Sequence, residues 1–378
     1  MKTKFLDDIE RLRGFACLLI LIQHIAWICP LRFIYEILPL RLLNGSGAVH
    51  LFFAISGFVV TLSLRDKLDT LEGSTFLDKI SSAKYWLLSF YKRRFLRIFP
   101  TVLFVIVVIS IFLTFTESGY DWLVSLLRAP AEIFFGTYNY ALESFVSSEK
   151  PHLAGVGPFW TLAIEAQFYL LWPLLLLACR NNNKRVVLSL SLGLIFTLVV
   201  QPALSAIYGS KYYAIYSNVS ELFLGSFFAF MYNGDLKKDS CEGCKKVANL
   251  ATIFLGMMVW FYPNSLTDKM FFSGIVVTFA SVLLVMAAAF VPGSFKIPVL
   301  EKVFHYLGSR SFSFYAIQLG LANIVVWFTN SKYFARESLY ENDFYLYQFL
   351  IFIVAQFIIT ELMYRFIERP SRKLGENI

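Results

Sequence analysis

Long apolar runs separated by short polar segments dominate the hydrophobic pattern of this 378-residue chain. A membrane-spanning helix needs about 20 predominantly apolar residues, and windows of this kind recur along most of the sequence. The pattern therefore predicts an all-α polytopic membrane protein, a bundle of about ten transmembrane helices. The predicted spans are Gly14–Cys29, Ala48–Leu64, Ile98–Phe115, Trp160–Cys179, Val186–Ile207, Ser220–Met231, Leu250–Tyr262, Phe271–Val291, Phe312–Phe328 and Tyr345–Ile367, of which the sixth and seventh are short.

The distribution of Lys and Arg predicts the orientation of these spans. Cytoplasmic segments of membrane proteins carry an excess of basic residues. With the N-terminus inside, 26 of the 34 Lys and Arg residues fall on inner segments. Both termini are therefore expected to be cytoplasmic. The formal net charge of +8 then reports orientation, and no nucleic-acid partner is expected.

Composition supports the same class of protein. Hydrophobic residues make up 57% of the chain and charged residues 16%, whereas soluble domains carry about 25% charged residues. No internal repeat divides the sequence, so residues 1–378 are predicted to form a single transmembrane domain without an appended extracytoplasmic domain. The apolar segment Trp122–Tyr140 is predicted to be re-entrant or interfacial, because Pro130 and Glu132 disfavour a full span.

Cysteine usage indicates neither a disulfide framework nor a metal centre. Cys241 and Cys244 have the spacing of half a zinc site, but no second pair exists elsewhere in the sequence. We therefore expect ordinary reduced thiols and no metal.

Arg13 and His24 stand eleven residues apart on the first predicted span. At 3.6 residues per turn, this spacing puts both side chains on one helix face, about 16 Å apart along the axis. An ionisable side chain within the hydrocarbon region is a functional candidate, and it usually faces a bundle interior or a wet cavity. The alternative is a structural histidine that hydrogen-bonds the backbone of a neighbouring helix.

Five short strings resemble the membrane acyltransferase-3 family. Individually each string is a weak signal, but all five occur in the family's order within a frame of about ten spans. They are an arginine and a histidine separated by ten residues within Asp7–His24, VHLFFAISGFV (Val49–Val59), RRFLRIFP (Arg93–Pro100), FWTLAIEAQFYLLWP (Phe159–Pro173), and YLGSRSFSFYAIQ (Tyr306–Gln318) paired with YRFIERPSRKL (Tyr364–Leu374).

The resemblance implies transfer of an acyl group from a cytosolic acyl-CoA to a sugar or another acceptor. Such a reaction needs a base, stabilisation of an oxyanion and a binding site for the donor. His24 is the natural base or transient acyl carrier, because the unperturbed pKa of histidine lies near neutrality. Glu165 is predicted to orient or polarise His24, since helix arithmetic gives both side chains similar distances from the outer ends of their spans.

Three arginines are assigned to the donor and four other residues to the acceptor or pocket. Guanidinium groups hold phosphate oxygens bidentately, so Arg13, Arg94 and Arg97 are predicted to bind acetyl-CoA or another acyl-CoA. For the arginines of the RRFLRIFP string, the alternative is a topology anchor alone. Ser56, with Gly57, also suits close helix packing. The residues assigned to the acceptor or pocket are Trp160, Tyr169, Ser56 and Glu221.

The chain departs from the family pattern at several positions. Gln318 occupies a place where the family often has histidine, His50 stands where aspartate is common, and Asn218 replaces a frequent arginine. These differences are expected to alter the choice of acceptor rather than to remove the reaction.

The sequence thus favours an integral membrane O-acyltransferase of the bacterial inner (cytoplasmic) membrane, and we expect it to be an O-acetyltransferase. The acceptor class that we expect is a sugar hydroxyl of a cell-surface glycan such as lipopolysaccharide O-antigen. Membrane lipid and a glycan or lipid-linked sugar would then be the partners. The alternative is a transporter or flippase of a lipid-linked sugar, which would also need buried polar groups, although no paired inverted halves are visible in the sequence.

Overall fold

Apolar, helix-length segments determine the secondary structure of this protein. The computed structural model describes residues 3–28, 45–70, 76–114, 120–147, 156–208, 213–232, 242–260, 270–295, 299–330 and 341–376. Within these ranges all regular structure is helical and no strand occurs. The prediction of an all-α membrane protein is confirmed.

The helices are named here in chain order. They are α1 (Thr3–Ile28), α2 (Ser46–Leu68), α3 (Phe76–Thr114), α4 (Tyr120–Phe134), α5 (Tyr138–Ser147), α6 (Trp160–Ala178), α7 (Asn182–Ile195), α8 (Gln201–Tyr208), α9 (Ser220–Met231), α10 (Glu242–Trp260), α11 (Met270–Phe290), α12 (Glu301–Ser309), α13 (Ser311–Asn330), α14 (Glu341–Met363) and α15 (Arg369–Glu376). A π-helical segment joins α7 to α8 (Phe196–Val200) and another joins α14 to α15 (Tyr364–Glu368).

Six helical segments in the described part of the chain are long and apolar enough to cross a membrane. They are Gly47–Leu68, Phe76–Thr114, Gly157–Ala178, Asn182–Tyr208, Ser311–Thr329 and Phe344–Glu376. Three shorter apolar helical segments lie at Ser220–Met231, Ala248–Val259 and Gly274–Phe290. The count of ten spans and the cytoplasmic location of both termini stay predictions.

The chain forms two compact units. Unit 1 comprises Met1–Leu19, Leu42–Leu88 and Gln167–Ser309. Unit 2 comprises Ile20–Arg41, Ser89–Ala166 and Arg310–Ile378. Three of the five boundaries fall inside α1, α3 and α6, so each of these helices contributes to both units.

A close crossing of α2 and α9 organises unit 1. A Cβ atom added to Gly57 would lie 2.0 Å from the Leu222 carbonyl oxygen, and one added to Gly225 would lie 2.2 Å from the Ala54 carbonyl oxygen. Only glycine allows two helix backbones to approach this closely, which is a common device in membrane proteins. The close helix packing that the sequence suggested at Gly57 is thus observed.

Two features organise unit 2. Helix α4 ends in a turn closed by Gly136 at φ 70°, where the Gly136 N–H donates to the Ile133 carbonyl oxygen. The chain then returns as α5, so the segment predicted to be re-entrant is a pair of helices rather than one span. The Phe134 ring meets the Phe95 ring edge-on at a centroid distance of 5.7 Å, which brings the end of α4 beside α3.

The second feature is the start of α13. The buried Glu368 carboxylate, at the end of the π-helical segment, accepts hydrogen bonds from the backbone N–H and the hydroxyl of Ser313, at 3.1 Å and 2.6 Å. A carboxylate at a helix N-terminus satisfies donors that the helix leaves unpaired and favours the positive end of its dipole. The two strings that make up the fifth resemblance, one containing Ser313 and the other Glu368, are therefore in contact.

Candidate active site

His24 is buried within α1, as the sequence predicted. The side chain of Gln318, on α13, reaches the His24 imidazole, and both residues belong to unit 2. Gln318 is itself fully buried. Because an imidazole and a carboxamide can each donate and accept hydrogen bonds, their contact forms a buried polar site within unit 2.

A hydrogen-bonded connection links α13 to α6 next to this site. The Tyr315 hydroxyl donates to the Pro158 carbonyl oxygen at 2.8 Å and lies 3.2 Å from the Thr161 hydroxyl. Gln318 follows Tyr315 by one helical turn, and Glu165 follows Thr161 by one turn, so each pair shares a helix face. In unit 2, the helices that carry His24 and Glu165 are thus both connected to α13.

The remaining candidate residues of unit 2 lie on α3 and α6. The Arg94 guanidinium stacks over the Phe90 ring at 5.4 Å from its centroid. Arg97 follows one turn later, and both arginine side chains are partly exposed. Trp160, the first residue of α6, is buried. The contact between Phe134 and Phe95 places the end of α4 beside this arginine segment.

Unit 1 contains a second buried polar cluster around Glu221, in the first turn of α9. Its Oε1 atom lies 2.7 Å from Nδ1 of His50, on α2, and accepts a hydrogen bond from the Thr278 hydroxyl of α11. The Ser220 hydroxyl donates to Oε2 at 3.1 Å. The Glu221 side chain is fully buried. Three helices therefore converge on one carboxylate, which is also favoured by the N-terminus of α9.

The other candidate residues of unit 1 are spread over three helices. Arg13 lies on α1 and is partly exposed, and Ser56 on α2 is also partly exposed. Tyr169 on α6 is buried beside Phe168, with ring centroids 6.3 Å apart. Phe168 in turn stacks on Trp172 at 5.4 Å. Tyr169 thus adjoins an aromatic core.

Comparison with known proteins identifies the family. The profile described as "Acyltransferase domain" (Acyl_transf_3) matches residues 6–366, nearly the whole chain. The chain belongs to the acyltransferase-3 family. It is 28% identical to O-acetyltransferase OatA of Staphylococcus aureus strains NCTC 8325 and COL over 98% of its own length. The chain spans 58% of the length of these curated relatives. No solved structure matches the chain.

For this acyltransferase-3 protein, three groups near the candidate residues were not predicted as site residues. They are Gln318 beside His24, the Tyr315–Thr161 link, and the His50 partner of Glu221. The sequence singled out Gln318 and His50 as departures from the family pattern, and each now has a buried polar neighbour. At both positions one polar residue replaces another polar residue that is common in the family. That substitution could have identified both as site residues.

A cluster of metal-ligand types occurs at the start of α1. Asp7, Glu10 and His305 bring their ligand atoms within 4.8 Å of one another in unit 1. His305 Nε2 lies 3.3 Å from Glu10 Oε2, so a direct ion pair or hydrogen bond explains the approach without an ion. The absence of a metal stays a prediction for this chain.

Proposed function

We propose that this protein is an integral membrane O-acetyltransferase that transfers an acetyl group from cytosolic acetyl-CoA to a sugar hydroxyl of a cell-surface glycan. Membership of the acyltransferase-3 family and the O-acetyltransferase relatives support the reaction class. The observation that carries the proposal for this chain is the burial of His24 beside a second polar side chain, on the helix that the sequence predicts as the first span. Burying such a group in hydrocarbon is costly, which favours a functional reason for it.

In this mechanism His24 acts as the general base or as a transient acyl carrier. Arg13 precedes it by about 16 Å along α1, a distance that a pantetheine arm bound at the arginine could cover. Arg94 and Arg97 present two guanidinium groups one turn apart on α3, suited to the phosphates of a nucleotide donor. Glu165 would hold the imidazole in the productive tautomer, directly or through the polar residues between α6 and α13.

The acceptor is proposed to be a surface polysaccharide of a bacterium, with lipopolysaccharide O-antigen as the example, and the membrane is proposed to be the cytoplasmic one. The predicted orientation supports this location because it keeps the donor-binding arginines on the side where acyl-CoA is made. Trp160, Tyr169, Ser56 and Glu221 are the residues proposed to line the acceptor path.

The test uses the purified protein in lipid bilayers with radiolabelled acetyl-CoA and the glycan of the host. We expect label to appear in the glycan, and His24→Ala to lower the rate by about 10²–10⁴-fold. His305→Ala is the matched control, because His305 is a half-exposed histidine outside the proposed site, and it should leave the rate unchanged.

Two results would contradict the proposal. One is equal labelling by the wild type and His24→Ala. The other is movement of a lipid-linked sugar across the bilayer without any acyl donor, which would identify a transporter. In the host, deletion of the gene should lower the mass of the surface polysaccharide by about one acetyl group per repeat if acetylation is stoichiometric.

A further inference from the structure

Gln318 is a fully buried amide whose polar atoms are unsatisfied. Neither its Nε2 nor its Oε1 atom makes a hydrogen bond of normal geometry among the described residues. The other two buried glutamines of unit 2 differ, because Gln348 Nε2 donates to the Thr329 hydroxyl and Gln356 Nε2 donates to the Phe314 carbonyl oxygen. In the described part of the chain, no other buried side-chain amide leaves both polar atoms unsatisfied.

An amide in this state costs folding free energy. Buried donors and acceptors are almost always paired, and an unpaired one loses its hydrogen bonds to water without replacement. A leucine or methionine would fill the same volume without this penalty. A chain that keeps an amide here therefore gains something from it that the folded protein alone does not display.

The surroundings of Gln318 indicate what the amide could bind. It reaches the His24 imidazole, yet the approach is too loose to satisfy the amide. One turn earlier on the same helix, Tyr315 donates a hydrogen bond to Pro158, which lies in the turn just before α6. That bond restrains α13 and thus the position of Gln318. A restrained donor beside a buried imidazole is the arrangement that stabilises charge developing in a transition state.

We propose that Gln318 is a catalytic residue whose side-chain N–H donates to the acyl oxygen during transfer at His24. This inference rests on the proposed function. The amide has two N–H donors, so one can contact the imidazole side of the site while the other binds the acyl oxygen.

The step balances as follows for attack by an acceptor hydroxyl. The hydroxyl oxygen forms a bond to the thioester carbonyl carbon, its proton passes to His24, and the C=O electron pair moves to the acyl oxygen. Gln318 donates to that oxyanion. Collapse of the intermediate breaks the C–S bond, and the CoA sulfur leaves with the proton that His24 held. If His24 carries the acyl group first, the same oxyanion forms at the same place.

The experiment compares three variants of the full-length protein in lipid bilayers. Gln318→Met keeps the volume and removes the amide, Gln318→Glu keeps the shape and removes the N–H donors, and Gln356→Met is the matched control in the same unit. Each is assayed for kcat, for the KM of acetyl-CoA and for the midpoint of thermal unfolding.

For Gln318→Met we expect kcat to fall by about 10²–10³-fold, as when one oxyanion donor is removed, with little change in KM. The unfolding midpoint should stay the same or rise by a few degrees, because an unsatisfied amide has been removed. Gln318→Glu should be equally slow. Gln356→Met should show the opposite pattern, a lower midpoint with kcat close to wild type, because it breaks a hydrogen bond that the folded protein makes.

Two outcomes would overturn the inference while the proposed function stands. In one, Gln318→Met keeps kcat within about threefold of wild type. In the other, it loses kcat and unfolding midpoint together, as a merely structural amide would. If the wild-type protein itself transfers no acetyl group, the proposed function has failed, and this inference fails with it.

Discussion

At the scale of single residues, Glu221 is a buried ionisable group that is held by three neighbours. Its carboxylate is fully buried and interacts with His50, Thr278 and Ser220. Each of these neighbours is also buried. Because all three side chains bind one carboxylate, its removal leaves several polar groups without their partner.

Glu221→Ala should therefore lower the free energy of unfolding by about 3–5 kcal/mol, the range for breaking a buried charged pair. Thr278→Val keeps the shape of the side chain and removes one hydrogen-bond donor, so it should lower the free energy of unfolding by about 1 kcal/mol. Unfolding in detergent micelles, followed by tryptophan fluorescence, measures both.

The double variant His50→Ala/Glu221→Ala supplies the control for this prediction. Because it removes both partners, its loss should be smaller than the sum of the two single losses. Strict additivity would show that the two side chains do not interact.

The sequence indicated some of these residues and missed their relations. His24 and Glu221 stood out because ionisable groups are rare in apolar spans. The contact between His50 and Glu221 joins positions 171 residues apart, and no local pattern specifies such a pairing. Gln318 was recognised only as a departure from the family, since a glutamine shows its unsatisfied state only when its neighbours are known.

At the scale of helices, the crossing of α2 and α9 sets the tolerance of unit 1 to larger side chains. A Cβ atom at Gly57 would lie 2.0 Å from a backbone oxygen, where no side-chain rotation can relieve the clash. A Cβ atom at Gly256 of α10 would lie 3.5 Å from the Phe15 ring, which is ordinary contact. The two glycines thus form a matched pair.

Gly57→Ala should force α2 and α9 apart. We expect it to lower the free energy of unfolding by about 3 kcal/mol or more, at the upper end of the range for overpacking. Gly256→Ala should be neutral or should stabilise the protein by about 0.5–1 kcal/mol, because alanine is the better helix former. The yield of monodisperse protein after size-exclusion chromatography, with the unfolding midpoint, distinguishes the two. Equal behaviour of both variants would show that the crossing tolerates separation.

Helix positions were more predictable than helix lengths. The predicted span Ser220–Met231 coincides with α9, and Trp160–Cys179 differs from α6 by one residue. Helix α3, in contrast, begins at Phe76, whereas the predicted span begins at Ile98. Hydropathy detects only the part of a helix that is apolar on all sides, so the mixed polar and apolar segment before it was not recognised as helix.

At the scale of the whole molecule, the orientation in the membrane is the property that most constrains the mechanism. With the N-terminus inside, Lys184 falls on an inner segment and Lys150 on an outer one. In a variant without native cysteines, Lys150→Cys should react with a membrane-impermeant maleimide in intact cells. Lys184→Cys should react only after the membrane is permeabilised. The reverse pattern would place the donor-binding arginines on the wrong side for cytosolic acyl-CoA.

The division into two compact units was not predictable from hydropathy. In a membrane every helix face can be apolar, so the pattern does not indicate which helices pack together. Small residues such as Gly57 and Gly225 give a partial signal, because they permit close approach, but they do not name the partner helix. The continuity of α1, α3 and α6 through both units adds to the difficulty.

The π-helical segment Tyr364–Glu368 contains one residue more than a regular α-helical turn would hold, and it sets the rotational phase of the helix that follows. If the same residues adopted regular α geometry, every later side chain would rotate by about 100° around the axis. The carboxylate of Glu368 would swing away from Ser313, and α13 would lose its N-terminal acceptor while the tail remained helical. The fit between the two last sequence strings is thus a matter of helical phase, which the π geometry sets and which most substitutions at exposed Phe366 would leave intact.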